Sequence, residues 1–137
     1  MVTGGDMTEL KSKYIFWFLL VSTTFSLVYY AFNYQEAMLE MSNIWLEIYY
    51  GLDTILIFTA LYAYSYDSKI LSYCSVSIIF INAILSGVIS LSEELVLNWD
   101  FYTNYELYTT FLVYGIYYFC VLTIIHKLRL KRKIEKL

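Results

Sequence analysis

The sequence predicts an all-α membrane protein of four antiparallel transmembrane helices, with both ends on the cytoplasmic side. The 137 residues are 60% hydrophobic and 15% charged, whereas soluble domains have roughly 45–50% apolar and 25% charged residues. Positive charges occur at Lys11 and Lys13, at Lys69, and from Lys127 to Lys136. Each interval between these groups holds two apolar stretches. Because Lys and Arg are enriched in cytoplasmic loops, this distribution predicts the threading of the chain.

Each apolar stretch has the length of a transmembrane helix, because about 20 residues cross ~30 Å of hydrocarbon. We therefore interpret residues 1–137 as one four-span domain whose helices run outward, inward, outward and inward. The chain has no proline, so long helices without sharp kinks are expected, and the fourth helix is expected to continue into the tail. The predicted spans cover about 14–32, 44–64, 70–91 and 105–126, and the basic tail covers 127–137.

The segments around these spans agree with that threading. No small-residue cleavage site follows the first stretch, so it is interpreted as a retained helix rather than a signal peptide. The turn between spans two and three contains Asp67 and Ser68, which suit a turn and can cap the following helix.

Cys74 and Cys120 lie near the cytoplasmic ends of spans three and four. They are expected to be reduced thiols that pack as small buried residues.

Aromatic residues are concentrated near the span ends. The chain has 16 tyrosines and three tryptophans, and amphipathic rings favour the headgroup level of a bilayer. Tyr114, Tyr117 and Tyr118 instead lie deep in the fourth span. A buried phenol needs a hydrogen-bond partner, so these three are expected to face other helices.

A polar layer is predicted near the middle of the bilayer. Asp53 in span two and Asn82 in span three reach the same depth when the spans are counted from opposite directions, and the hairpin can bring them together. Thr23 and Thr54 lie at a similar depth. An ionisable group there costs about 2.5–3.5 kcal/mol on insertion scales and is a functional candidate by default. Asp53 is either a cation or proton site assisted by the other three residues, or a hydrogen-bond anchor between helices.

The third span is rich in small and hydroxyl-bearing residues. Ala83 and Gly87 form one pair spaced by four, and Ser86 and Ser90 form another. Such pairs allow helix backbones to approach closely. We therefore expect this span to be the central helix, or to lie at a contact between subunits of a homo-oligomer. A serine-lined pore is the alternative.

The outer loops and the adjoining helix ends carry acids with no basic residue among them. Loops without Lys or Arg are translocated more readily, and the acids can be a mere consequence. Alternatively they form an external face that attracts cations or a basic ligand. This external acidic face comprises Glu36, Glu40, Glu93, Glu94, Asp100 and Glu106.

The tail carries six basic residues and one acid. It either rests on anionic lipid headgroups, at about 1 kcal/mol per basic residue, or it binds a cytosolic protein or a second subunit. Apolar residues spaced by four and three on one helical face indicate the binding of a protein. The residues of this partner-binding tail are Lys127, Arg129, Leu130, Lys131, Arg132, Lys133, Ile134 and Leu137.

The sequence lacks the motifs of common enzymes. It has one histidine, His126, and no phosphate-binding loop, Ser-His-Asp set or CxxC pair. We therefore expect a non-enzymatic protein without cofactor, metal or direct contact with nucleic acid.

The favoured hypothesis is a sensor or anchor subunit of an oligomeric assembly in a bacterial inner membrane, in a regulatory or defence system. The alternative is an oligomeric cation channel or proton-coupled carrier that uses Asp53 and Asn82.

Overall fold

The computed structural model describes the backbone of residues 4–36 and 43–136, and the side chains from residue 10 onward within those ranges. This part of the chain contains helices and no strand, so the predicted all-α class is confirmed. Four helices are long and apolar enough to cross a membrane. Glu40 and Leu137 lie outside the described residues. The long helices are α1 (Gly4–Phe32), α2 (Ile44–Ser65), α3 (Tyr73–Asn98) and α4 (Asn104–Lys136).

These helices form two compact hairpins, the first ending at Ile70 and the second beginning at Leu71. In the first hairpin α1 packs against α2, and in the second α3 packs against α4. That the four helices form a single domain, and that this domain forms a homo-oligomer, stay predictions.

The first hairpin is held together near the C-terminal end of α2. The ring of Phe16 packs against the rings of Phe58 and Tyr62, at centroid distances of 6.1 and 6.0 Å. The buried hydroxyl groups of Ser12 and Ser65 lie 3.1 Å apart and share a hydrogen bond. Apolar packing and a satisfied polar pair therefore close this hairpin at the same end.

The segment between α2 and α3 contains the predicted turn, but the cap of α3 differs from its prediction. Asp67 has a φ of 50°, in the left-handed region, and the N–H of Ser68 donates to the carbonyl of Ala63 at 3.0 Å. This is the arrangement that ends many helices, so Asp67 and Ser68 terminate α2 rather than cap α3. The cap of α3 is Ser72, which accepts a hydrogen bond from the N–H of Ser75 at 3.2 Å. As a result α3 begins at Tyr73, three residues after the predicted start of the span.

The helix α4 begins with a capping box and extends far beyond one membrane thickness. The carboxylate of Glu106 accepts from the N–H of Thr103 at 2.8 Å, and the hydroxyl of Thr103 accepts from the N–H of Glu106 at 3.3 Å. With 33 residues the helix is about 50 Å long, against ~30 Å of hydrocarbon. The expectation that the fourth helix continues into the tail is therefore confirmed.

The outer surfaces of the helices are apolar. Large rings such as those of Phe18, Phe25 and Phe119 are exposed, while the residues between α3 and α4 are buried. Soluble proteins rarely expose contiguous apolar surfaces of this extent, whereas lipid-facing helices do. The core of the second hairpin comprises Val76, Ile79, Ala83, Val121, Ile124, Ile125 and Leu128.

Candidate functional site

Asp53 is the buried carboxylate among the side chains that the structure describes, with only 4% of its surface exposed. It lies on α2, in the first hairpin. The neighbouring hydroxyl of Thr54 donates to the carbonyl of Tyr50 in the same helix at 2.8 Å, so it is satisfied locally. Thr23 is half-buried on α1, and Asn82 is half-buried on α3 in the second hairpin. The predicted meeting of Asp53 with Asn82 stays a prediction.

The small residues of α3 contact α4 of the same hairpin. Ala83 is fully buried, and Gly87 is buried on the same side of the helix. A Cβ atom added at Gly87 would lie 2.9 Å from two ring carbons of Tyr118, closer than real Cβ contacts. The aromatic ring therefore occupies the space that the glycine leaves. This contact is one that the small-residue pair was expected to allow.

Two serines of α3 lie near this contact, and the second of them joins α3 to α4. The hydroxyl of Ser86 donates to the carbonyl of Ala83 at 3.1 Å, and the hydroxyls of Ser90 and Tyr114 lie 3.2 Å apart. Tyr114 and Tyr118 thus contact α3, as the sequence predicts for deep tyrosines, and Tyr117 packs edge-on against Tyr118. The two serines have structural partners in the hairpin, which gives no support to the serine-lined pore.

Two carboxylates of the external acidic face have local structural partners. The phenol of Tyr102 donates to Glu94. This hydrogen bond, with a smaller contribution from burial, raises the pKa of Tyr102 above its usual value. Glu106 accepts from the backbone and the hydroxyl of Thr103 in the cap of α4. Glu36 and Asp100 are exposed and Glu93 is half-buried.

Arg129 and Arg132, both assigned to the partner-binding tail, contact the start of α3. The Nε of Arg129 donates to the hydroxyl of Ser77 at 3.0 Å, and its guanidinium lies 5.7 Å from the ring centre of Tyr73. Arg132 is 5% exposed, and its Nε donates to the carbonyl of Leu71 at 2.9 Å. We call this set the arginine cluster: Leu71, Tyr73, Ser77, Arg129 and Arg132. It fixes the first turns of the tail against α3.

The other side of the tail is apolar and exposed. Leu130 is 46% exposed and Ile134 is 71% exposed, whereas Leu128 is fully buried against the hairpin. Lys127 and Lys133 are also exposed. The tail therefore has one face that packs within the hairpin and an opposite face that does not.

Sequence reasoning missed the structural role of Arg132, although the pattern contained a signal. Val121, Ile125 and Leu128 are all fully buried, and Arg132 continues their spacing of four, three and four. A residue at this position lies on the buried face of the helix. The positive charge of Arg132 favoured assignment to a solvent-facing tail, but its position on the helix directs it inward.

In the described part of the chain, the thiols and the carboxylates are not grouped as the ligands of a metal ion. Cys74 and Cys120 are free. Cys74 is exposed rather than buried as expected, and Cys120 is half-buried. Among the side chains in the described ranges, no three His, Cys, Asp or Glu are grouped so that they could hold a metal ion.

No protein family, curated protein or solved structure matches this chain.

Proposed function

We propose that this protein is a non-enzymatic membrane subunit, a sensor or anchor in an oligomeric assembly, that binds a cytosolic protein through its C-terminal tail. The observation that carries the proposal is the two-faced helix of the tail. One face packs within the hairpin through Leu128 and Arg132, and the opposite face exposes Leu130 and Ile134. An exposed apolar face on a stable helix is a common recognition surface for proteins.

The arginine cluster favours a protein partner over lipid headgroups. To lie flat on a membrane surface, the tail would have to bend away from the axis of the membrane-spanning part of α4. The hydrogen bonds of Arg129 to Ser77 and of Arg132 to Leu71 oppose such a bend. No Gly or Pro occurs between Val121 and Lys136, and these are residues at which helices usually kink.

The charge distribution supports a cytoplasmic position for both ends of the chain, and hence for the tail. All three groups of basic residues fall on one side if each helix crosses the membrane once, as the preference of Lys and Arg for the cytoplasm requires. We propose the inner membrane of a bacterium as the location, and a regulatory or defence system as the setting.

Native mass spectrometry of the protein, extracted gently from its own membrane, tests the anchoring function. The full chain should carry a soluble protein. A chain that ends after Arg132 should lose this soluble protein, because it lacks Ile134 and the two lysines that follow Arg132. The shortened chain still keeps the contact of Arg132 with Leu71. Retention of the partner by the shortened chain, or no partner on the full chain, would contradict the proposal.

The burial of Asp53 favours a second candidate, an oligomeric cation channel or proton-coupled carrier in which Asp53 and Asn82 line the path. A carboxylate that is 4% exposed within an apolar helix is the kind of group that binds ions or protons. In proteoliposomes, Asp53→Asn should abolish cation or proton flux. Asp67→Asn is the control, because Asn also adopts the left-handed backbone. Flux that persists in Asp53→Asn, or is absent from the unmodified protein, would exclude this candidate.

A further inference from the structure

The charged residues of the tail are divided between its two faces. Arg129 and Arg132 belong to the arginine cluster, and Glu135 forms an ion pair of 2.5 Å with Arg132. Glu135 is the acidic residue within the described part of the tail. Its charge is offset by Arg132, on the side of the helix that packs within the hairpin. The exposed lysines of the described tail are Lys127, Lys133 and Lys136.

The lysines border the exposed apolar stripe in a heptad arrangement. Residues 127, 130 and 134 are spaced by three and four, which places them along one seam of the helix. Leu130 and Ile134 occupy the apolar positions of that seam. The half-buried Lys131 and the exposed Lys133 flank it on either side, at the positions that select partners in coiled coils. We call this surface the lysine-edged stripe: Lys127, Leu130, Lys131, Lys133 and Ile134.

We infer that the lysine-edged stripe binds an acidic amphipathic helix of the cytosolic partner, an inference that rests on the proposed anchoring function. Apolar residues of that helix would cover Leu130 and Ile134. Glu or Asp residues beside them would pair with the exposed Lys133, since opposite charges at this flanking position favour pairing.

The same charges disfavour the other occupants of the stripe. Two copies of the tail packed through it would place Lys131 and Lys133 of each copy beside lysines of the other, and like charges at these positions oppose pairing. An anionic membrane surface would attract the lysines, but the arginine cluster holds the helix along α3. Charge complementarity therefore favours an acidic protein helix.

Fluorescence anisotropy with designed peptides tests this inference on the full chain in nanodiscs of phosphatidylcholine. The probe is an amphipathic peptide of about three heptads with Leu in the seam and Glu at the flanking positions. A matched peptide has Lys at the flanking positions. The acidic peptide should bind and the basic one should not, and the double variant Leu130→Ser with Ile134→Ser should abolish binding.

Two matched charge reversals show whether binding uses the stripe. Lys133 and Lys136 are both exposed and lie three residues apart, but only Lys133 borders the seam. Lys133→Glu should weaken the binding of the acidic peptide by about fivefold or more, as expected for lost and reversed ion pairs, whereas Lys136→Glu should have a smaller effect. Equal effects of the two variants, or equal binding of the two peptides, would overturn the inference.

The two competing occupants, lipid and a second copy of the tail, are tested with a single cysteine on the stripe. The variant carries Ile134→Cys, and Cys74 and Cys120 are replaced by serine. The new thiol is either labelled with a fluorophore or left free. A fluorophore that enters an apolar environment in nanodiscs rich in phosphatidylglycerol would overturn the inference in favour of lipid. A disulfide between copies would overturn it in favour of self-association. If the peptide binds but native extraction yields no soluble partner, the anchoring function fails while the chemistry of the stripe stands. If a partner is found but the peptides bind equally, only the inference fails.

Discussion

At the scale of single residues, Gly87 decides how the second hairpin packs. The ring of Tyr118 fills the position that a Cβ atom would take. That ring is itself stacked 6.3 Å from Tyr114 and packed edge-on 4.9 Å from Tyr117, so a shift of the ring would change both contacts. Gly115 offers a contrast in the same hairpin, because nothing lies within 4 Å of a Cβ atom added there.

Gly87→Ala is therefore expected to destabilise the second hairpin by about 1–3 kcal/mol, as overpacking does in well-packed cores. Gly115→Ala is the matched control, with the same gain in helix propensity and no clash. Without a clash, this variant should leave the stability unchanged or raise it by up to about 1 kcal/mol, the difference in helix propensity between Gly and Ala. Unfolding in detergent, followed by circular dichroism, measures both. A similar loss of stability in both variants would show that the ring of Tyr118 does not limit the space at Gly87.

At the scale of the elements, the helix ends are determined by local hydrogen bonds. The loop between the two helices of the second hairpin ends in the capping box of Thr103 and Glu106. In this loop Tyr102 also donates to Glu94 of α3, which joins the end of one helix to the start of the other. These contacts give two acids of the external acidic face a structural reason to be present, whether or not the face also attracts cations.

Thr103→Ala is expected to cost about 1 kcal/mol, because it removes the side chain that caps α4. Thr109 provides the control, since its hydroxyl only donates to the carbonyl of Tyr105 one turn earlier in the helix, at 2.9 Å. Hydrogen exchange of the first-turn amides of α4 should accelerate in Thr103→Ala and stay unchanged in Thr109→Ala. Unchanged exchange in the first variant would rule out a stabilising role for the cap.

At the scale of the whole molecule, charge and apolar surface argue for one threading through a membrane. Four helices are long and apolar enough to span it, and the basic groups are separated by pairs of them. An even number of crossings would bring both ends to the same side, and the preference of basic residues favours the cytoplasm as that side. The loop around Asp100 would then face outward.

This threading predicts which thiols a membrane-impermeant maleimide can reach. In a Cys120→Ser background, Cys74 is exposed at the start of α3 and should react in inside-out vesicles but not in intact spheroplasts. A cysteine placed at the exposed Asp100, with Cys74 also replaced by serine, should show the opposite pattern. Reversed labelling of the two sites would contradict the proposed orientation, and labelling of both from one side would contradict the hairpin between them.

The number, order and approximate length of the helices could be predicted from the sequence, because these depend on composition. A stretch of about 20 apolar residues without charge is a strong signal, and α2 (Ile44–Ser65) lies within a residue of its predicted end. The helical tail was also predictable, since nothing between Val121 and Lys136 interrupts a helix. Of the candidate site, the structure shows a helical tail and a buried Asp53, whereas the binding roles of the tail and of Asp53 stay predictions.

Only the tertiary structure decided which of those residues are available for binding. Arg129 and Arg132 belong to the second hairpin, Lys133 and Ile134 remain exposed, and Asp67 ends α2 instead of starting α3. The physical reason is that composition is a property of one segment, whereas a contact depends on how two helices are rotated toward each other. The spacing of residues shows which of them share a face, but only the packed partner shows which face is buried.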